Sequence, residues 1–226
     1  MTGHIMLLVF DWDGTLVDSE AHIISSMQTA MKNLGLSVCS VGEIRNIIGL
    51  GLDEAILELC PRMKQKDRQK LADAYRKQYL LTSNQGTPLF PTVRETLQYL
   101  RNAGYLLAVA TGKSRRGLDR SLKETELFQI FHTSRCADET FSKPHPQMLK
   151  EIMEITDIPP ENTIMIGDSE YDLQMANNAG TASIAVTYGT HNTERLLQYG
   201  PLTCLNVLHD LRIWLDSKNI GYEENI

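Results

Sequence analysis

The chain has 226 residues, 42% of them hydrophobic, with 22 Lys and Arg against 28 Asp and Glu and a formal net charge of −6. That length supports one or two domains with a sizeable buried core. The acidic balance argues against a nucleic-acid or anionic-membrane surface, since both need a basic face, and leaves small anionic ligands open because a few local cations suffice for them.

The first apolar run, Ile5–Phe10, is broken by Asp11. It is too short for the apolar stretch of a signal peptide, about 7–15 residues, or for a membrane span of about 20, so Met6–Phe10 reads as a buried strand. From Ser19 to Pro88 no strand pattern appears, and a structureless loop of that length does not fit inside a compact domain. Helical spacing fills the gap. Ser19 can cap a helix with Ile23, Met27, Ala30, Met31 and Leu34 on one face, Ser40 with Glu43 matches a capping box, and Asp53–Leu59 and Lys66–Leu81 continue the pattern. Strand runs return at Tyr105–Ala110, Thr163–Ile166 and Ala182–Val186, alternating with helices at Thr92–Asn102, Pro146–Thr156 and Glu170–Asn178. Apolar runs without polar alternation are what strands covered by helices on both faces look like. The expected fold is therefore α/β, a doubly wound, mainly parallel, Rossmann-like sheet built from residues 1–17 and 88–226, interrupted by an all-helical domain at 18–87. Four scattered cysteines without a CxxC pair read as reduced thiols in a cytoplasmic protein.

Four polar segments fall where strands end or helices begin, the place where open α/β sheets bind ligands. Asp11-Trp12-Asp13-Gly14-Thr15-Leu16 aims two carboxylates out of the first strand into a glycine turn. Thr111-Gly112-Lys113-Ser114 offers a hydroxyl and backbone amides at a helix start, a seat for phosphate. Ser142-Lys143-Pro144 supplies a point positive charge, with Pro144 suited to a first helical turn. Gly167-Asp168-Ser169-Glu170-Tyr171-Asp172 adds two more carboxylates.

In that order, Asp-x-Asp-Gly-Thr-Leu, Thr-Gly, Lys-Pro and Gly-Asp-Ser-x-x-Asp resemble the haloacid dehalogenase superfamily over about Met6 to Gly189, and the helical insertion resembles its type-1 cap. The resemblance implies a Mg²⁺-dependent phosphatase that hydrolyses a small phosphorylated metabolite, a phosphoglycolate-like compound, a sugar phosphate or a nucleotide, through an aspartyl-phosphate intermediate. Asp11 would be the nucleophile, suited to it because a carboxylate is ionised at neutral pH without an activating base. Asp13 would be the general acid and then base. Thr111, Gly112 and Lys143 would hold the phosphoryl group. Asp11, Asp168 and the Asp13 carbonyl would bind Mg²⁺, and Asp172 would orient the metal's surroundings or Lys143. Four ionised aspartates against Lys143 and a divalent ion leave one negative charge over, which would place a proton on Asp13. The presence of Asp13 points away from the dehalogenases of the superfamily. Thr15, where β-phosphoglucomutase-type enzymes often carry Val, and Asp18-Ser19 look like the phosphoglycolate phosphatase branch. Phosphoryl transfer to a second hydroxyl and non-catalytic phosphate binding are the other readings.

These motifs touch only phosphate and metal. For the rest of the substrate, the candidates are Arg45, Gly49 and Gly51 in the cap, where the glycines would permit close backbone approach, and Arg115 and Arg116 beyond the phosphate seat. A plain turn for Arg45 and a solvated helix start for the two later arginines are the alternatives. Trp12 reads as packing beside the strand, and His22 as a hinge or helix-surface residue.

Overall fold

The computed structural model describes residues 6–82 and 86–223. Six parallel strands form one sheet in the order β3-β2-β1-β4-β5-β6: β1 Leu7–Phe10, β2 Leu106–Thr111, β3 Thr133–Cys136, β4 Thr163–Gly167, β5 Ala182–Val186 and β6 Cys204–Leu205. Central β1 sets Val9 beside Ala108 on one flank and beside Met165 on the other. Its side chains divide by parity, as a pleated strand requires. Leu8 and Phe10 join a core with Leu97, Leu118 and Leu211, while Leu7 and Val9 join a second core with Met148, Ile152 and Met175. The two layers correspond to helices α5 Val93–Asn102, α6 Arg115–Glu124 and α10 Asp210–Glu223 on one face, and α7 Gln147–Thr156 and α8 Glu170–Ala179 on the other. A short α9 spans Thr193–Leu197.

Between β1 and β2 run α1 Glu20–Asn33, α2 Val41–Arg45, α3 Leu52–Leu59 and α4 Gln65–Thr82. They enclose an apolar core of their own, with Ile23, Met27, Met31, Ile44, Ile56 and Leu71 at its centre. The chain enters and leaves this helical segment side by side. The Asp18 amide donates to the Pro88 carbonyl at 2.9 Å, and the Phe90 amide to the Leu16 carbonyl at 3.0 Å.

Strands expected from apolar runs are found within a residue of their expected bounds. β3, Thr-Ser-Arg-Cys, is a half-buried edge strand with too little apolar surface to announce itself, and β6 has only two residues. The Ser40–Glu43 capping box forms in both directions. Ser19 takes the N-cap position of α1 but makes no capping bond with its side chain. Pro144 is not in a first helical turn: it follows a cis peptide bond after Lys143, and α7 begins at Gln147. Among the described residues no helix is long and apolar enough to cross a membrane.

Trp12 packs beside the sheet, fully buried, in edge-on contact with Phe131 at 6.1 Å between ring centroids. Its indole N–H also donates to Ser121 Oγ at 2.9 Å, tying the β1 turn to α6. Trp12→Phe removes that donor and part of a packed side chain, and is expected to cost about 1–3 kcal/mol of stability. An unchanged urea midpoint would show that the tie contributes nothing.

Candidate active site

β1, β2 and β4 lie side by side, so the residues that follow them converge at one end of the sheet, where the strand order reverses. Asp11 is fixed there by its amide, which donates to the Ile166 carbonyl at 2.9 Å. The turn after it needs glycine twice over. Gly14 has φ +91°, and a Cβ at that position would lie 2.3 Å from an Asp168 carboxylate oxygen. That close approach lets the neighbouring Thr15 hydroxyl donate to Asp168 Oδ1 at 2.7 Å, while the Thr190 amide and hydroxyl donate to Oδ2 at 2.8 and 2.7 Å.

Among the described residues Lys143 is a fully buried lysine, its side chain without solvent exposure. Its ammonium pairs with Asp11 and lies 2.6 Å from Asp172 Oδ1. The other Asp172 oxygen accepts from the Ser169 amide and hydroxyl, so that carboxylate caps α8 and anchors the lysine together. Oxygens of Asp11, Asp168 and Asp172 all lie within 4.8 Å of one another. Burial pushes the Asp11 carboxyl well above the ordinary carboxylate range, against the pull of Lys143. Burial, then Asp172, pushes Asp168 up to about 6. Burial opposes the Lys143 charge too, but Asp11 and Asp172 overcome it and hold the ammonium above its usual range. Three enclosed carboxylates thus face one enclosed ammonium. Asp11 Oδ2 is buried without a hydrogen-bond partner. A hard cation with oxygen preference fits that donor set, because it would supply the missing charge and use the spare oxygen.

Asp13 faces elsewhere. Both its oxygens receive the Lys113 ammonium, at 2.8 and 2.9 Å, and Oδ1 also accepts the Ser19 hydroxyl at 2.6 Å. Lys113 in turn donates to the Tyr79 hydroxyl at 3.2 Å and lies 4.9 Å from the centre of that ring. His22 stacks on the far part of this arrangement, 4.1 Å from the Tyr79 ring. Lys113 corrects the charge balance expected from sequence: with it, Lys143 and a divalent ion, the four aspartates are matched, and no surplus negative charge calls for a proton on Asp13 in the absence of substrate. The place of Lys113 immediately after a strand end was the available signal. The Ser19 hydroxyl serves Asp13 rather than the helix terminus, and Tyr79, from α4, carried no signal in sequence.

The remaining candidates divide. Thr111 is buried at the end of β2, its hydroxyl accepting from the Lys113 amide at 3.2 Å. Gly112 lies directly under the loop between α2 and α3: a Cβ there would fall 2.3 Å from the Leu50 carbonyl oxygen and 2.7 Å from that of Gly49. The Gly51 amide donates to Ser142 Oγ at 2.7 Å. The loop glycines therefore bring backbone of the helical insertion onto backbone at the sheet end, in addition to lining the space beside it. Arg45 is turned away, half exposed in an ion pair with Glu20, and does not line that space. Arg115 is committed to Glu139 and Asp119, whereas exposed Arg116 does line it. The space is a cavity of about 450 Å³ between α6 and helices α1, α3 and α4. Asp11, Asp13, Thr111 and Gly112 open onto it, and Lys143, Asp168 and Asp172 are buried outside its lining.

Comparison with known proteins agrees with this architecture. A family model described as haloacid dehalogenase-like hydrolase matches residues 8–186. The Probable phosphatase IndB of Dickeya dadantii is 33% identical over 210 residues, covering 91% of both chains. A phosphoglycolate phosphatase of Vibrio vulnificus is 31% identical over 206 residues, covering 87% of this chain and 90% of that one. Among solved structures, a hydrolase from Pseudomonas syringae superposes with a TM-score of 0.86 at 20% identity, over 94% of this chain and 98% of that one. The family match takes in nearly all of β1, the helical insertion, β2, the Lys143 loop and the Asp168 turn, and with them Asp11, Asp13, Lys143, Asp168 and Asp172: the chain belongs to the haloacid dehalogenase-like hydrolases.

Proposed function

We propose that the chain is a phosphatase that hydrolyses a small organic phosphomonoester through a phosphorylated Asp11. The observation that carries this reading is the division of two carboxylates at one cavity: Asp11 is bound into the Lys143 cluster, and Asp13, two residues on, is held separately by Lys113 and Ser19. A nucleophile and a proton carrier need this, since each must keep its own partner through the reaction. Relatives named as phosphatases support the class.

In this reading Asp11 attacks phosphorus, and Asp13, after taking up a proton from water as the phosphate enters, hands that proton to the departing alcohol oxygen. Asp13 then takes a proton from the water that attacks the aspartyl-phosphate, which releases inorganic phosphate and restores Asp11. Lys143 and Thr111 hold the phosphoryl oxygens. Lys113 and Ser19 fix the Asp13 carboxylate in position. Asp11 and Asp168, with the Asp13 carbonyl, would hold Mg²⁺, and Asp172 would keep Lys143 in place. The ion supplies charge neutralisation for the phosphoryl group. We read residues 18–87 as a cap over a core of 1–17 and 88–226, with the paired linkers at Asp18 and Pro88 as its hinge. Four unpaired cysteines fit a cytoplasmic setting.

Three outcomes are expected, with phosphate release from p-nitrophenyl phosphate as the assay. Asp11→Asn should lower kcat by about a thousandfold or more while the protein keeps its melting temperature; a loss under tenfold would rule out Asp11 as nucleophile. EDTA should bring release to background and added Mg²⁺ should restore it, and activity indifferent to chelation would remove the metal from the reaction. Lys113→Met should lower kcat by about 10²-fold, the lower end of what general acid–base catalysis contributes. Wild-type turnover in that variant would show that Asp13 does not need its anchor.

A further inference from the structure

The cavity says more about the alcohol half of the substrate than the phosphate-handling motifs do. Resting on the phosphatase reading above, we infer that it takes the phosphomonoester of a bulky, uncharged, mainly apolar alcohol, and that Gly117 is a specificity-determining position for that group.

Size comes first. About 450 Å³ falls in the range of roughly 300–1,000 Å³ typical of sites for drug-sized ligands, far more than a two-carbon leaving group fills. The cap contributes the apolar side of the wall, with Ile23, Met27, Ile47, Ile48 and the rings of Tyr75 and Tyr79. Such a surface gains free energy by covering apolar area and offers little to a charged group.

Charge points the same way. Six carboxylates line the cavity against four cations. Three of the four cations are already paired: Lys113 with both oxygens of Asp13, Arg120 with Glu124, and Arg76 with Asp73. The fourth, Arg116, is exposed to solvent. Arg45, the cation nearest the cap loop in sequence, is outside with Glu20. A second anion on the substrate, close to its phosphate, would meet more carboxylates than cations, with three of the four lining cations engaged and only exposed Arg116 left to meet it.

Gly117 makes room on the core side. It lies in the first turn of α6 and lines the cavity. A Cβ there would meet Ser114 Oγ at 3.3 Å and Lys113 Cβ at 3.9 Å within a 4 Å radius, and its φ lies outside the left-handed region. A Cβ at 117 can therefore be accommodated by a shift of a few tenths of an ångström at Ser114, at a position that lines the cavity.

The test compares kcat/KM for benzyl phosphate, phosphoglycolate and acetyl phosphate in the presence of Mg²⁺, for the wild-type protein and Gly117→Leu. Benzyl phosphate should exceed phosphoglycolate by at least about tenfold, the discrimination one or two well-placed apolar contacts supply. Gly117→Leu should reduce the benzyl phosphate value at least about ten times more than the acetyl phosphate value. Phosphoglycolate equal to or better than benzyl phosphate overturns the inference, as does a Gly117→Leu protein in which all three substrates fall alike. The wild-type comparison decides the matter if the variant does not fold. Acetyl phosphate turnover without a benzyl preference overturns the inference alone, whereas no phosphate release from any of the three overturns the phosphatase reading with it.

Discussion

The arrangement at the sheet end depends on one enclosed ammonium. Lys143 lies between Asp11 and Asp172 with no solvent at its side chain, and Asp168 stands beside both carboxylates. Removing charges from water costs several kcal/mol each, so such a cluster persists only where every member has partners in good geometry. Here the partners come from well-separated parts of the chain. Thr15 and Thr190 serve Asp168, Ser169 serves Asp172, and the Ile166 carbonyl holds the Asp11 backbone. The strand order explains why they can meet: β1 is central, with β2 and β4 as its neighbours, so three strand ends deliver their loops to the same place.

The two carboxylates of the first motif live in different surroundings. Those of Asp11 all come from the loops at the sheet end. Asp13 rests on Lys113, which the core supplies, but Ser19 at the head of α1 and Tyr79 on α4 complete its environment from the helical segment. The Gly49–Gly51 loop adds a second line of contact, close enough that Gly112 has no space for a methyl group. Position of the helical segment and geometry around Asp13 are therefore linked by direct contacts, whereas the side-chain partners of Asp11, Asp168 and Asp172 come from outside that segment.

Much of this was legible in sequence, and the pattern of what was not has a physical cause. Strands buried on both faces are apolar runs, and the polar motifs follow where those runs stop, so Asp11, Thr111 and Asp168 could be placed at strand ends without coordinates. Lys143 was recognisable from its motif. The half-polar edge strand β3 was not, since an edge needs little apolar surface. Arg45 and Arg115 illustrate a second limit. Each is an exposed-looking cation near the site, and each is claimed by a carboxylate some 25 residues away, Glu20 and Glu139 respectively. The helical phase of α6 separates Arg115 from Arg116, sending adjacent arginines to different neighbours. Lys113 shows the limit most clearly, because its partners Asp13 and Tyr79 lie 100 and 34 residues distant.

The position of the helical insertion also has a consequence for how the chain acquires its shape during synthesis. The core of α1–α4 draws on residues between Ile23 and Tyr79, so its contacts are local and can close as soon as that stretch exists. β1 precedes it but must wait, since its flanking strands begin at Leu106 and Thr163. An apolar Leu-Leu-Val-Phe segment thus spends the emergence of more than half the chain without its second neighbour, tethered to a bundle that can already have folded. Interrupting the sheet after its central strand gives the insertion a head start, and leaves the strand that leads into Asp11 with one open flank until β4 emerges.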